Sequence, residues 1–184
     1  LYPKRRVSSL YYDTFNLDLF QASENGNLER RKIRLRFYNQ DPVKAFIEYK
    51  QKYGERGWKE NFEIDSLHPL IKLKSPQFKE TKIPYRIESI YKPIIGVSYL
   101  RSYLISPSKE IRVTFDSKLL YGKVLRSDNH LQLNTNLSYE VSVIEIKTGI
   151  NIKCGFNSLK SVFGLNSLVC SKFSKYCTGI KITC

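Results

Sequence analysis

The sequence predicts a single domain of the α+β class in which antiparallel β-structure dominates. The length of 184 residues is enough for one core and too short for two ordinary domains. Apolar residues make up 41% of the chain and charged residues 26%, which is typical of a folded protein. In most segments, apolar and polar residues alternate with period two, and β-branched or aromatic side chains are frequent.

Seven segments show this alternation and are predicted strands: residues 7–13, 31–38, 45–52, 58–64, 96–104, 110–115 and 139–147. A short helix is predicted from Asp13 or Thr14 to Phe20, because either residue can cap it and Gly26 follows. A second helix is predicted over residues 156–163. Residues 65–91, with three prolines, are expected to form a helical or irregular excursion, and residues 122–138 a loop that is partly stranded.

The net charge of the chain implies an anionic partner. Lys and Arg outnumber Asp and Glu by 31 to 17, which gives +14. Nucleic acid, acidic lipid and polyphosphorylated small molecules all fit this charge. The longest charge-free interval near the C-terminus, residues 161–171, is too short to span a bilayer. The four cysteines, 16, 7 and 7 positions apart, match no zinc motif and are expected to be reduced thiols.

Cationic side chains recur at alternate positions along several predicted strands. Lys32, Arg34 and Arg36 share one face of their strand because strand side chains alternate between faces. Two further rows follow the same rule: Tyr99, Arg101 and Tyr103, and Arg112, Thr114 and Asp116. A solvated outer face of a sheet explains this pattern, and so does the basic lumen of a barrel. The arginines favour the lumen, because a guanidinium binds phosphate oxygens in a bidentate manner.

Carboxylates lie on the same predicted faces as the cations. Glu48 and Glu145 each precede a lysine by two positions, at Lys50 and Lys147, so that acid and base share a side of the strand. A hard divalent ion binds such oxygens and bridges them to phosphate. Glu48, Glu145 and Asp116 are therefore candidate metal ligands, with Glu145 preferred. A carboxylate that merely pairs with a neighbouring lysine is an equally weighted alternative.

With these stripes the sequence resembles the VTC domain, the polyphosphate polymerase branch of the CYTH-like triphosphate tunnel metalloenzymes. The matching strings, in order, are VSSLYYDT (7–14), RKIRLRFY (31–38) after Gly26, IEYK (47–50), VSYLR (97–101), IRVTFD (111–116), VIEIK (143–147) and SKFSKY (171–176). Each string alone is weak, whereas their number and order are specific. They span nearly the whole chain.

The resemblance implies a closed or nearly closed antiparallel tunnel with a few covering helices. In this tunnel the terminal phosphate of ATP passes to a growing polyphosphate, assisted by Mn²⁺ or Mg²⁺. By position it assigns the metal to Glu145; Glu48 stays a second metal candidate on the shared-face argument alone. It assigns catalytic phosphate binding to six cations: Arg34, Arg36, Lys50, Arg101, Arg112 and Lys175. Weaker substrate-binding candidates are Lys59, Tyr103 and Tyr11, the two tyrosines by strand phase alone.

The chain departs from the family pattern in two places. The family usually begins with a further strand, ahead of the region of Tyr2, that adds another tunnel cation; we expect the chain to be a fragment without it. Two positions after Lys59, where another basic residue is expected, stands Asn61. The family pattern further implies cytosolic ATP as the donor. We therefore expect a cytoplasmic protein. Segments outside this sequence, or partner proteins, are the means by which it would be held at a membrane.

Two other functions stay open. A triphosphate hydrolase or cyclase on the same architecture would use water or a ribose hydroxyl as acceptor. A non-catalytic binder of polyphosphate or nucleic acid would also fit the charge and the 13 tyrosines. Nucleic acid is disfavoured because carboxylates share the basic faces and would repel its backbone. The sequence lacks a phosphate-binding Gly-rich loop, a dinucleotide fingerprint and a paired-His metal motif.

Overall fold

The structure is a computed structural model that describes residues 2–39, 41–65, 90–127, 130–133, 137–148, 161, 164 and 171–183. Its strands are β1 (Arg5–Asp13), β2 (Glu29–Tyr38), β3 (Asp41–Tyr53), β4 (Arg56–Asp65), β5 (Lys92–Ile105), β6 (Ile111–Ser127), β7 (His130–Leu133), β8 (Leu137–Tyr139) and β9 (Val143–Thr148). Its helices are α1 (Asp18–Glu24) and α2 (Lys175–Thr183). The predicted dominance of antiparallel strands is confirmed.

One curled sheet contains all of these strands, in the order β4-β3-β2-β1-β5-β6-β7. The strands β8 and β9 also pair with β6, and every pairing is antiparallel. The register sets Arg34 beside Glu48, Lys50 beside Lys59 and Arg101 beside Asp116. The charged stripes of neighbouring strands therefore line up across the sheet.

The predicted closure of the barrel is wrong for the described part of the chain. The strand β4 forms one edge, and at the other edge β6 pairs with β7, β8 and β9. Closure requires hydrogen bonds between the first and last strands, and among the described residues none joins β4 to the far edge. The sheet is thus a strongly curled half-barrel.

Several predicted boundaries need correction. The segment 122–138 is mostly strand, because β6 continues to Ser127 and forms a hairpin with β7. The first helix begins at Asp18 instead of Thr14, whose hydroxyl oxygen accepts the Asp18 N–H at 3.1 Å. The C-terminal helix α2 was not predicted. The predictions for residues 66–89 and for most of 156–163 fall outside the described residues.

Two apolar clusters hold the half-barrel together, one on each face of the sheet. On one face, α2 inserts Tyr176, Cys177 and Ile180 against buried residues of β1, β5 and β6. At Gly179 a methyl group would lie 2.6 Å from Ile95 Cδ1 and 2.8 Å from Tyr121 Cδ1, so a larger residue would force these side chains to move. The other face packs Leu10, Tyr12, Leu19, Ile33, Leu35, Ala45 and Ile47 together.

A bulge in β6 changes which side chains of this strand point to the side of the sheet that α2 covers. Lys118 has φ of 52°, and the β5–β6 register shifts at this point. Asp116 and Leu119 consequently face the same side, although an uninterrupted strand would turn them to opposite sides. The bulge joins the charged part of the face, near Asp116, to the apolar part beneath α2.

Candidate functional site

The basic face is the side of the half-barrel that carries the predicted cations, and electrostatic contact across the sheet shows that it is concave. Two charges on β9 act on the pKa of Lys50 on β3: Lys147 lowers it and Glu145 raises it. Four strands lie between β3 and β9 in the sheet. Charges on a flat sheet would be separated by about 24 Å at the usual strand spacing, so the two walls must curl toward each other.

Glu48 is the centre of the first charge network. Its carboxylate accepts from Arg34 Nε at 2.5 Å, from Lys59 Nζ at 3.0 Å and from Arg36 Nη1 at 3.4 Å. Only 5% of Glu48 is exposed. Burial by itself would raise the pKa of this carboxyl, but Arg34, Arg36 and Lys59 outweigh burial and lower its pKa. Glu48 therefore stays ionised and neutralises one of three cations.

Asp116 forms the second network, with cations from two elements. Arg101 makes a bidentate pair with its carboxylate, at 2.6 and 2.7 Å. Lys175 of α2 lies 2.6 Å from the same carboxylate. Burial would raise the pKa of Asp116, and the two cations instead lower it. The two networks together contain five cations and two carboxylates, an excess of three positive charges.

Two buried phenols lie between the networks. Tyr11 accepts from Arg34 Nη1 at 3.0 Å, and Tyr99 accepts from Arg36 Nη2 at 3.4 Å. The ammonium of Lys175 lies 4.7 Å from the centre of the Tyr99 ring and makes a cation–π contact with it. The arginines are thus held by phenols as well as by carboxylates, which fixes their guanidinium groups before any ligand arrives.

The helix α2 is fixed by contacts at its N-terminal end. Ser174 accepts the Cys177 N–H at 3.2 Å and receives the Lys32 ammonium at 2.8 Å. The Tyr176 hydroxyl donates to the buried carboxylate of Asp13. Asp13 also accepts the Leu19 and Phe20 N–H groups at 2.9 Å, and so ties α1 and α2 to the end of β1. These contacts hold Lys175 over Asp116.

The third part of the basic face is an open cavity of about 410 Å³ between β5, β6 and β9. Arg112, Glu145 and Lys147 line it, together with Arg101 and Tyr103. Lys147 Nζ lies 3.3 Å from Glu145 Oε1, with both side chains about half exposed. Arg112 is exposed and forms no ion pair with the described residues. Its guanidinium is available to a ligand.

Lys50 differs from the other predicted cations. Its side chain is exposed, yet its pKa is lowered, first by partial desolvation and then by repulsion from Lys52, Lys32 and Lys147. No ion pair within the described ranges compensates it. An anion bound beside Lys50 would relieve this repulsion.

A cluster of aromatic residues at the rim of the cavity was not predicted. The Arg5 guanidinium lies 4.0 Å from the Tyr2 ring centre and 3.9 Å from that of Tyr38, and its Nε donates to the Tyr103 hydroxyl at 2.9 Å. No sequence pattern indicates this cluster, because pairing between strands that are distant in the chain brings its members together. Tyr103 is thereby held in place at the cavity wall.

The structure brings all of the predicted site residues to the basic face: Arg34, Arg36, Lys50, Arg101, Arg112, Lys175, Lys59, Tyr103, Tyr11, Glu145 and Glu48. Their functional roles stay predictions. The sequence identified Asp13 only as a possible cap of the first helix, and its carboxylate does accept N–H groups of α1. Its contact with Tyr176, which positions α2, was not predicted.

Of the two predicted metal ligands, Glu145 is the accessible carboxylate and Glu48 is buried. Within the described ranges, no group of three or more His, Cys, Asp and Glu side chains could hold a metal ion. Both oxygens of Glu48 are engaged by cations, whereas Glu145 borders the open cavity. Mg²⁺ usually takes one or two protein carboxylates and completes its shell with water and substrate phosphates. Glu145 fits a metal bound in this shared way.

The curled antiparallel sheet has a CYTH-like fold, with the basic face on its concave side. Comparison with solved structures agrees with this fold: a candidate adenylate cyclase from Bacillus halodurans is similar over 93% of this chain and 79% of its own, with a TM-score of 0.55 and 13% identity. The chain belongs to the VTC domain family, whose model matches residues 2–184. No curated protein matches the chain. Among the described helices, none is long and apolar enough to cross a membrane.

Proposed function

We propose that this domain is a polyphosphate polymerase, which transfers the terminal phosphate of ATP to a growing polyphosphate chain on the basic face. The observation that carries the proposal is the excess of positive charge in the Glu48 and Asp116 networks, where five cations face two carboxylates. Membership of the VTC family supports the same function.

The arrangement of cations suits a linear polyanion better than a single phosphate. Arg34, Arg36 and Lys59 lie along β2 and β4, and Arg101 and Lys175 form a second group nearer to β6. Like charges held close together repel one another in the free protein. A chain of phosphates can contact both groups at once and relieve this repulsion along its whole length.

The transfer step needs positioning and charge stabilisation more than covalent chemistry. The cations would hold donor and acceptor in line and stabilise the negative charge on the transferred phosphoryl group. The bond between the terminal and penultimate phosphates of ATP breaks as a terminal oxygen of polyphosphate bonds to the transferred phosphorus. The acceptor is already an oxyanion, so no general base is needed.

Glu145 would hold a Mn²⁺ or Mg²⁺ ion together with phosphate oxygens of the substrate. Such an ion neutralises part of the phosphate charge and helps to align the transferred group. Lys147, next to Glu145, would move to a phosphate oxygen once the metal is bound, because its ion pair with Glu145 is exposed and weak.

Hydrolysis or cyclisation would require activation of water or of a ribose hydroxyl. In the described part of the basic face, the cations occupy the carboxylates of Glu48 and Asp116, which leaves only Glu145 near the cavity. This favours the phosphate acceptor. The name of the Bacillus halodurans protein suggests cyclisation, but 13% identity supports the fold alone.

The reaction is tested by incubating the purified domain with ATP and Mn²⁺ and separating the products by size. Polyphosphate of increasing length, with ADP released, is expected. Free phosphate alone would indicate a hydrolase, and a cyclic nucleotide a cyclase. Retention of polyphosphate without turnover of ATP would indicate a binder. We place the reaction in the cytoplasm, where ATP is supplied, with a membrane partner as an alternative setting.

A further inference from the structure

The hydroxyl of Thr114 is buried and lacks a hydrogen-bond partner among the described residues. Thr114 is 7% exposed and lies near the start of β6, on the inner face of the sheet. Leaving a buried hydroxyl unpaired costs free energy, since the group has lost its hydrogen bonds to water. Such a group therefore needs an explanation.

The surroundings of Thr114 are charged, and most of the charge is positive. Across the sheet, Thr114 pairs with Tyr103 on one side and with Glu145 on the other. Along β6, Arg112 and Asp116 flank it on the same face, about 7 Å away at the rise of a strand. Thr114 also lines the cavity that contains Arg101, Lys109, Arg112 and Lys147.

An anion that enters this cavity would meet four cations and one carboxylate, Glu145, and the Thr114 side chain forms part of the cavity wall. Asp116 repels such an anion only weakly, because Arg101 and Lys175 neutralise its carboxylate. A phosphate oxygen would accept the Thr114 hydroxyl while the cations hold the remaining oxygens. Unlike the cations, the hydroxyl acts over a short range and in one direction, so it defines where one phosphate sits.

We propose that the Thr114 hydroxyl donates a hydrogen bond to a phosphate oxygen of the polyphosphate or nucleoside triphosphate in this cavity. The inference rests on the proposed function, because it assigns a further binding residue to the same face. Thr114 sets the register of the phosphate chain beside Arg112 and Glu145. Unlike the cations that line this cavity, Thr114 is an uncharged hydrogen-bond donor.

The test compares Thr114→Val, which removes the hydroxyl at nearly constant shape, with Thr114→Ser, which keeps it. Tripolyphosphate is the probe, its affinity measured by titration calorimetry and the thermal stability of each free protein by its Tm. Tyr121→Phe is the matched control, because Tyr121 also buries an unpartnered hydroxyl, but in the apolar cluster beneath α2. For Thr114→Val we expect a roughly ten- to hundredfold loss of affinity together with an unchanged or higher Tm.

The remaining outcomes separate the inference from the proposed function. Thr114→Ser should restore most of the affinity, and Tyr121→Phe should raise the Tm without changing the affinity. If Thr114→Val binds tripolyphosphate as the parent does, the inference is wrong and the proposed function stands. A lower Tm with unchanged affinity would assign Thr114 to packing instead. If the parent itself binds no tripolyphosphate, both proposals are wrong.

Discussion

The ammonium of Lys175 lies 2.6 Å from the carboxylate of Asp116, although 59 positions separate the two residues in the chain. This contact joins the C-terminal helix to the first half of β6. Only 1% of the Asp116 side chain is exposed and 13% of the Lys175 side chain. The ion pair is therefore poorly screened by solvent and contributes to the position of the cation as well as to the charge of the basic face.

Lys175→Met should weaken polyphosphate binding about tenfold, because it removes one phosphate-binding cation and keeps the aliphatic stem. The Tm should fall only slightly, because Asp116 retains its bidentate pair with Arg101. Calorimetric titration with polyphosphate measures the change. Lys181→Met is the control on the same helix, since Lys181 is exposed and pairs with Glu24 of α1 instead of a carboxylate of the two networks. Equal losses in both variants would contradict a specific role for Lys175.

Arg112→Ala should reduce phosphate transfer about a hundredfold and leave the Tm unchanged. Loss of one positioned donor to a charged transition state commonly costs about 3 kcal/mol, and Arg112 has no ion pair within the described chain whose loss would destabilise the fold. Arg56→Ala is the control, because Arg56 is exposed and lies on the outer face of β4. Steady-state turnover of ATP to polyphosphate measures both. Unchanged turnover in Arg112→Ala would contradict its assignment.

Arg34→Ala should also abolish most transfer, with a larger effect on stability than Arg112→Ala. Arg34 loses contacts to Glu48 and Tyr11 in this variant, and Glu48 keeps Arg36 and Lys59 as partners. We expect a cost of about 1–2 kcal/mol in the free energy of unfolding. Urea unfolding measures the stability, and circular dichroism checks that the fold is intact. Full activity in a folded variant would disprove the role.

Glu145→Gln should raise the Mn²⁺ concentration needed for half-maximal activity and leave the affinity for tripolyphosphate without metal little changed. The carboxylate is about half exposed and its pair with Lys147 is weak, so the Tm should stay the same. Metal titration of the turnover rate measures the shift. Glu140→Gln, another exposed carboxylate on the loop before β9, is the control. If the Glu145→Gln titration superimposes on that of the parent, Glu145 is not the ligand.

Binding of tripolyphosphate at alkaline pH should be accompanied by proton uptake at Lys50. The pKa of free Lys50 is lowered by desolvation and by neighbouring lysines. A fraction of the protein molecules therefore carries a neutral Lys50 amine at alkaline pH. A bound anion favours the ammonium form and raises this pKa, and the side chain then takes up a proton. Calorimetry in two buffers of different ionisation enthalpy measures the uptake. Lys50→Met should show less uptake than the parent; equal uptake would mean that Lys50 is not beside the anion.

Most of the basic face could be predicted because its composition follows from local geometry. Alternation along a strand fixes that Arg34 and Arg36 point to the same side, whatever the sheet does. The same rule places Glu145 with Lys147. The bulge at Lys118 is different. Its extra residue turns the following side chains of β6 to the opposite side of the sheet, and no sequence pattern indicates the bulge.

The pairing of charges could not be predicted. The sequence offered Glu48 as a metal ligand and equally as a partner for a nearby lysine. In the structure its partners are Arg34, Arg36 and Lys59, on two neighbouring strands. Which strands are neighbours is a property of the sheet order, and a single strand does not encode it.

The sequence by itself determined which side chains share a face along each uninterrupted stretch of strand, because side chains alternate there whatever the rest of the sheet does. It also determined the family, through seven short strings in a fixed order. The tertiary structure alone decided that this face is the concave one, that α2 delivers Lys175 to Asp116, and that the described sheet stays open between β4 and its far edge. The physical reason is that curvature, helix docking and edge pairing arise from contacts between residues far apart in the chain, which no local pattern specifies.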